Sequence, residues 1–456
     1  MVPDRVPASF RDPSGFVFRD GEVIKRWIGP LYLRQYEALT QSGFYKSLFQ
    51  KHYLIPHLEV DRTAEHVIIQ PENIPFITYP YEWSFLQYKH AALLTLKIQK
   101  YALERDFILK DASAFNITFH NGKPVFIDSL SFDFYEEDTP WHAYKQFLTH
   151  FLGPLVLAHY YGLDYLKTLS VDIDGISLGK LSALLPLKSY LSPILYTNIH
   201  LAAKYEQKHA SKSFTGKARL SKIAQIKLLD ALYAYIESLA VRQQTEWDDY
   251  YNQTNYETEA YEQKKQLTNT WATAIKARRI LDLGGNDGTF SRELPESVES
   301  IIVADVDANA VGQNYSKILK NKERNILPIV ADILNPFPGI GFNNTERFSF
   351  LGRLKEWQAD GCLALAVIHH ITLSGNIPFD MSARLFAGIS EHLLIEFPNR
   401  EDSWVEFLLN SKRDFKAHFD FYNEDNFEKE YSNYFDIVSK VPIRASHRIL
   451  YTMKRK

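Results

Sequence analysis

The chain has 456 residues, with 52 lysines and arginines against 55 aspartates and glutamates and a formal net charge of −3. That balance argues against nucleic acid as a partner, and a composition of 45% hydrophobic and 14% aromatic residues excludes dominant disorder and fits two or three packed domains. A single cysteine, Cys362, excludes an intrachain disulfide and a cysteine-rich zinc site and predicts a reducing, cytoplasmic location. No run approaches the ~18 apolar residues of a membrane span, and no apolar export signal is readable, so neither export nor membrane insertion is expected.

Residues 16–28, GFVFRDGEVIKRW, alternate in two short runs around Asp20-Gly21 and predict a β-hairpin. From 31 to about 58, and again over 83–109, apolar residues recur at spacings of three and four, the period of helices with one buried face. FNITF and PVFID alternate on either side of HNGK, which predicts a second hairpin over 115–128. Helical spacing returns over 141–240, with Pro154, Pro186 and Pro193 as breaks. The basic segment 204–227 reads as an exposed, mobile connection, with a site for a phosphate-bearing acceptor as the sharper alternative. A first domain, 1–245, is therefore expected to be α+β and mainly helical, and the polar stretch 242–263 parts it from a second domain, 246–456.

In that second domain RRILDLGGNDGTF, SIIVADVDANAV, ILPIVADIL, GCLALAVIHH and HLLIEFP read as five β segments with helices between them. The repetition predicts an α/β, Rossmann-like, mostly parallel sheet with helices on both faces. The first strand runs into Gly284, Gly285, Asn286, Asp287 and Gly288, with a helix expected from near Thr289; such a turn brings a ligand against bare backbone. Counted from Asp282 the spacing is D-x-G-x-N-x-G, which is neither the dinucleotide fingerprint nor a P-loop. Asp305 ends the second strand, where a carboxylate can take both hydroxyls of a ribose, and Asp332 follows the third, where an adenine amino group could be bound. Asp307 reads as a helix cap. His369 and His370 follow the fourth strand, one of them expected to face the cleft, and are candidates for a base or an acceptor-orienting group, against a packing role. Glu396 and Asp402, after the fifth strand, are lesser candidates.

On these residues the second domain resembles the class I S-adenosyl-L-methionine-dependent methyltransferases. The resemblance implies S-adenosyl-L-methionine as cofactor, with the loop from Asp282 through Gly288 around its methionine end, Asp305 on the ribose and Asp332 on the adenine. Asn286 stands where the family most often has its central glycine, and asparagine enters the left-handed region more readily than most residues. Methyl transfer to an oxygen or nitrogen of a small molecule or saccharide is the implied activity, and no metal is expected because the acids are taken up by the cofactor.

In the first domain LKDASAFNI followed by PVFIDSLSF resembles the catalytic loop and metal-binding aspartate of protein kinases and aminoglycoside-type phosphotransferases, with Asp111 at the base position and Asn116 and Asp128 at the magnesium positions. It departs from them: Leu109 replaces the usual histidine, Ser-Leu follows Asp128, a glycine-rich loop is missing, and Lys25 is the one stand-in for the third-strand lysine. A scaffold without phosphotransfer is the expectation. ITYPYEWSFLQY and FDFYEEDTPWHAY read as core aromatics. Taken whole, the phrases YPYEWSF, LKDASAFNI, PVFIDSLSF, ILDLGGNDGTFS, LALAVIHHI and LIEFP are similar to two-domain bacterial methyltransferases, the NoeA-like group. Two other readings stay open: a bifunctional protein that also binds magnesium and nucleotide, and a non-catalytic S-adenosyl-L-methionine-binding scaffold.

Overall fold

β1 (Asp4–Arg5), β2 (Gly15–Asp20) and β3 (Val23–Ile28) open the computed structural model, which describes residues 4–209, 219–241 and 258–456. The β2–β3 turn needs left-handed backbone at Gly21 (φ 61°), and Phe16 stacks on its cross-strand partner Trp27 at 5.2 Å. The helical spacing over 31–58 resolves into Leu33–Gln41 and Phe44–Gln50, after which the chain turns into β4 (His57–Arg62), paired with β5 (Val67–Pro71). The β4–β5 hairpin is not legible in the sequence because β4, HLEVDR, has five exposed residues out of six and so shows no alternation. The sheet runs β1-β2-β3-β5-β4, antiparallel throughout.

Helix Phe85–Leu103 starts at a capping box, in which Ser84 and Gln87 exchange bonds, and is buried on most of its circumference instead of one face. It packs against helix Lys222–Ser238. Past it, β6 (Phe107–Leu109) is followed by the expected hairpin of β7 (Ile117–His120) and β8 (Lys123–Phe126), and β9 (Phe132–Phe134) returns to pair with β6. Pro154 does not break its helix. Residues Leu148–Leu152 widen into a π-helical turn that runs directly into Gly153–Tyr161, and the wider turn accommodates a ring that lacks a backbone donor. The centre of the basic segment, 210–218, and the stretch 242–257 that holds the boundary read near 245 lie outside the described residues.

Chain contacts divide the molecule into Met1–Gln243 with Gly339–Arg347, and Gln244–Pro338 with Phe348–Lys456. The short excursion is fastened within the first unit by the Arg11–Glu346 ion pair at 2.6 Å and by the Arg347 guanidinium 4.4 Å over the Phe115 ring.

The second unit is a Rossmann-like sheet. β10 (Arg279–Leu283), β11 (Ser300–Asp305), β12 (Ile326–Val330), β13 (Ala359–Ala364) and β14 (Ser390–Pro398) are the five strands read from the sequence, all parallel. β15 (Phe435–Pro442) and β16 (Arg448–Arg455) join antiparallel, giving the order β12-β11-β10-β13-β14-β16-β15. Winding reverses between β10 and β13, and in such sheets ligands bind outside the carboxyl ends at this switch point. Helix Thr258–Ala274 covers one face: a Cβ on Gly361 would lie 2.6 Å from Trp271 Cη2, and Trp271 shares a core with Ile280, Leu363, Leu394 and Leu450. On the other face Cys362 neighbours Tyr431 of helix Glu424–Tyr431, whose hydroxyl meets Ser382 Oγ at 3.0 Å. Among the described residues no helix is long and apolar enough to cross a membrane.

Candidate active site

The glycine loop leaves β10 where the sheet reverses. Gly284 (φ 70°), Asn286 (φ 49°) and Gly288 (φ 75°) all take the left-handed backbone, and a Cβ on Gly284 would stand 2.5 Å from Val367 Cγ2, so both conformation and space demand glycine there. Asn286 does adopt the conformation of the glycine it replaces. Its N–H donates to Asp305 Oδ2 at 2.8 Å, and Asp307 N–H donates to Asp305 Oδ1 at 2.8 Å. Asp305 thus ties the end of β11 to the loop after β10. The Asp287 carboxylate takes Thr289 N–H (3.2 Å) and Thr289 Oγ1–H (2.6 Å) and pairs with Lys317, so its side chain shapes the loop. Arg292, which the sequence reading missed, donates from Nη1 to Asp287 O at 2.7 Å and pairs with Glu323. The helix expected from Thr289 is only a 3₁₀ turn, Phe290–Glu293, because Leu294 precedes Pro295 and is pushed to extended backbone.

Asp282 is 2% exposed and accepts from Ser291 Oγ at 2.6 Å. Burial pushes its carboxyl up to about 7, with Asp305 adding to the rise and Lys264 opposing it. Burial likewise pushes Asp305 up to about 6, against the backbone N–H groups of Asp307 and Asn286. Asp332 follows β12 and accepts Leu334 N–H at 2.8 Å. Asp307 caps helix Ala308–Asn321, as read, accepting Asn309 N–H at 2.8 Å.

His369 and His370 do not end a strand. β13 stops at Ala364, Ala366 turns at φ 53°, and the histidines sit on the helical turn that follows, their ring centroids 4.2 Å apart. The alternation of neighbouring side chains expected at a strand end therefore does not apply. His369 is buried and its Nδ1 has no hydrogen-bond partner. Burial lowers His370 to about 4, helped by Arg448, and holds His369 well below its ordinary value, with His370, Arg448 and Lys264 contributing. Both rings are neutral around pH 7.

Glu396 and Asp402 are buried in ion pairs. Lys264 Nζ lies 2.7 Å from Glu396 Oε2, Arg448 Nη1 donates to Glu396 Oε1 at 3.2 Å, and Arg448 Nε and Nη2 donate to Asp402 at 2.6 and 3.3 Å. Lys264 and Arg448 were both missed. Lys264 had a visible signal, since it falls on the stripe of Ala260, Leu267 and Trp271 that a helix would turn inward. Arg448 belongs to a strand the reading did not find. Among the described residues no group of three His, Cys, Asp or Glu is arranged to hold a metal ion.

In the first unit Asp111, Asn116 and Asp128 do come together. Asn116 Nδ2 donates to Ser131 Oγ (3.4 Å), Ser131 Oγ–H donates to Asp128 Oδ2 (2.7 Å), and Asp111 Oδ1 accepts from Gln146 Nε2 (2.8 Å). The cation at Asp128 is a guanidinium, with Arg26 Nη1 at 2.5 Å from Oδ1 and Asp12 beside it at 3.5 Å. Lys25, the stand-in read from the sequence, points elsewhere and pairs with Asp20 at 2.6 Å. Burial acts to raise Asp128, but Arg26 and the donors Ser131 and Leu130 outweigh it and hold the carboxyl below its ordinary value.

No protein-family model matches the chain. The N-methyltransferase NodS from Bradyrhizobium japonicum WM9 in complex with S-adenosyl-l-homocysteine has 12% identity and a TM-score of 0.32, over 44% of this chain and 89% of NodS. Magnesium protoporphyrin IX methyltransferase from Synechocystis PCC 6803 has 14% identity and a TM-score of 0.32, over 46% of this chain and 92% of that one. The bifunctional kinase-methyltransferase WbdD has 15% identity and a TM-score of 0.32, over 49% and 46%. Likenesses this distant carry no argument about this molecule. Nodulation protein NoeA of Rhizobium meliloti (strain 1021) is 31% identical over an alignment of 468 positions that covers 99% of this chain and 96% of NoeA. The chain belongs to the NoeA family.

Proposed function

We propose that the chain is a methyltransferase that uses S-adenosyl-L-methionine to methylate an oxygen or nitrogen of a small molecule or saccharide. The observation that carries this reading is the convergence of Asp282, the Gly284–Gly288 loop, Asp305 and Asp332 at the carboxyl ends of three adjacent parallel strands, with Asp305 bonded directly to the loop. The donor set fits the cofactor: two carboxyls raised by burial await groups that favour their charged form, and a ribose and an ammonium are such groups. Asp305 would hold the ribose hydroxyls, Asp332 the adenine amino group, and Asp282 with the loop the methionine end. When bound, the cofactor supplies an electrophilic methyl on a sulfonium.

What the chain adds is placement. An imidazole lowered to about 4, as that of His370 is, is a modest base, but an imidazole can fix a hydroxyl or amine by a hydrogen bond, and His369 Nδ1 is among the buried polar atoms that lack a partner. We assign His369 to orienting the acceptor and His370 to its support. In the first unit, the Arg26 guanidinium against Asp128 supports a scaffold without magnesium-dependent phosphotransfer. The single, buried Cys362 supports a cytoplasmic location. The test is conversion of labelled S-adenosyl-L-methionine to S-adenosylhomocysteine with fractionated cell extract as acceptor source. Turnover that vanishes in Asp305→Ala supports the reading; a chain that binds cofactor yet turns over nothing is the sensor alternative.

A further inference from the structure

Lys264 is 1% exposed and, with Arg448, balances the two buried acids Glu396 and Asp402. Its position gives it a second neighbour. Asp282, Leu363 and Leu394 are paired across β10, β13 and β14, so their side chains share a face, and Glu396, two residues beyond Leu394, shares it too. That is the face covered by helix Thr258–Ala274. Lys264 leaves this helix, lays its ammonium 4.7 Å over the ring of Phe290, the neighbour of the Ser291 that donates to Asp282, and ends 2.7 Å from Glu396.

We propose that Lys264 is a positioning residue for the cofactor: held by Glu396, it supplies the positive charge that keeps Asp282 a carboxylate, the form able to receive the cofactor's ammonium group. The proposal rests on the reading of Asp282 given above. Around Asp282 stand Lys264 from the helix, Ser291 from the 3₁₀ turn, Asp305 from β11 and Cys362 from β13, and Lys264 is the cation among them. Around Lys264 stand Glu396, Arg448, Asp282 and His369; burial lowers the ammonium from its ordinary value, and Glu396 and Asp282 oppose that. Burial and Asp305 favour the protonated form of Asp282, and Lys264 opposes them. Without that charge Asp282 would stay neutral at a pH where the cofactor's ammonium needs it charged.

The test is the pH profile of S-adenosylhomocysteine binding by the full chain, measured by calorimetry. Lys264→Met alone leaves Glu396 with one cation and risks unfolding, so it is paired with Glu396→Gln, which removes the opposite charge and leaves Arg448 on Asp402. Wild-type affinity should rise between pH 6 and 8. In the folded K264M/E396Q protein the rise should move up by about one pH unit, so affinity at pH 7 falls about five- to tenfold and recovers by pH 9. Lys264→Arg, which keeps the charge, should retain the wild-type profile, and Asp282→Asn should flatten the profile in either background. Superimposed profiles for wild type and K264M/E396Q, or equal damage from Arg and Met, would overturn the proposal. A wild-type chain that binds no S-adenosylhomocysteine at any pH would instead overturn the cofactor site on which it rests.

Discussion

Asp305 serves two ends that can be separated by Asp305→Asn. Its carboxyl stands at about 6 in the folded chain against an ordinary 3.8, mainly through burial. Between those values the folded state keeps a proton that the unfolded chain releases, so this group makes stability fall as pH rises from about 4 to 6 and leaves it at the lower level above. Two pK units correspond to about 3 kcal/mol; Asp305 is only half-buried, and solvent screening brings the figure to about 1–3 kcal/mol. Asparagine removes that penalty but can satisfy only one of the two N–H groups from Asn286 and Asp307, a cost of about 1–3 kcal/mol at every pH. Thermal unfolding of the apo protein should therefore show D305N clearly less stable than wild type at pH 4.5, with the gap narrowing by pH 8. Calorimetry at pH 7.5 should show S-adenosylhomocysteine at least tenfold weaker, because the ribose loses a charge-assisted partner worth roughly 1.5–3 kcal/mol. Parallel stability curves would refute the burial argument, and unchanged affinity in folded D305N would remove Asp305 from the site.

ATP with magnesium should leave the melting temperature of the full chain unchanged, since Arg26 occupies Asp128; a ligand at 100 times its dissociation constant would add about 2.7 kcal/mol, so a clear magnesium-dependent rise would make the phosphotransferase reading primary. With an acceptor in hand, kcat should vary little between pH 5.5 and 8, because both histidines are already neutral; a limb near pH 6.5 that disappears in His370→Gln would restore the general-base role. His369→Gln should raise KM for the acceptor with little change in S-adenosylhomocysteine affinity, and a variant with normal steady-state kinetics would return His369 to packing. Gly284→Ala should destabilise the protein by more than about 1 kcal/mol, from the left-handed backbone and the 2.5 Å approach to Val367, as read by denaturant midpoint.

The parallel half of the sheet was legible because buried parallel strands carry apolar runs, and IL, IIVA, ILPIV, CLA and LLI lie within β10 through β14. β15 and β16 were not, since FDIVSKVP and RILYTMKR mix charges into edge and antiparallel positions where one side meets solvent. β13 was read too long because LALAVI is apolar throughout, and nothing in composition announces that Ala366 takes a positive φ. The loop and its three acids could be read from spacing alone, because a strand-end carboxylate and a glycine turn are local features. Lys264, Arg448 and Arg26 could not, since each acts on a partner brought close only by the fold: Lys264 and Arg448 on Glu396, and Arg26 on Asp128.

Whether the carboxyl ends of β10, β11 and β12 hold S-adenosyl-L-methionine is decided by a crystal structure of the full chain with S-adenosylhomocysteine. The ribose hydroxyls are expected within hydrogen-bond distance of Asp305, the adenine beside Asp332 and the amino group at Asp282. A ligand seated elsewhere, or a site left empty at saturating concentration, would contradict that placement.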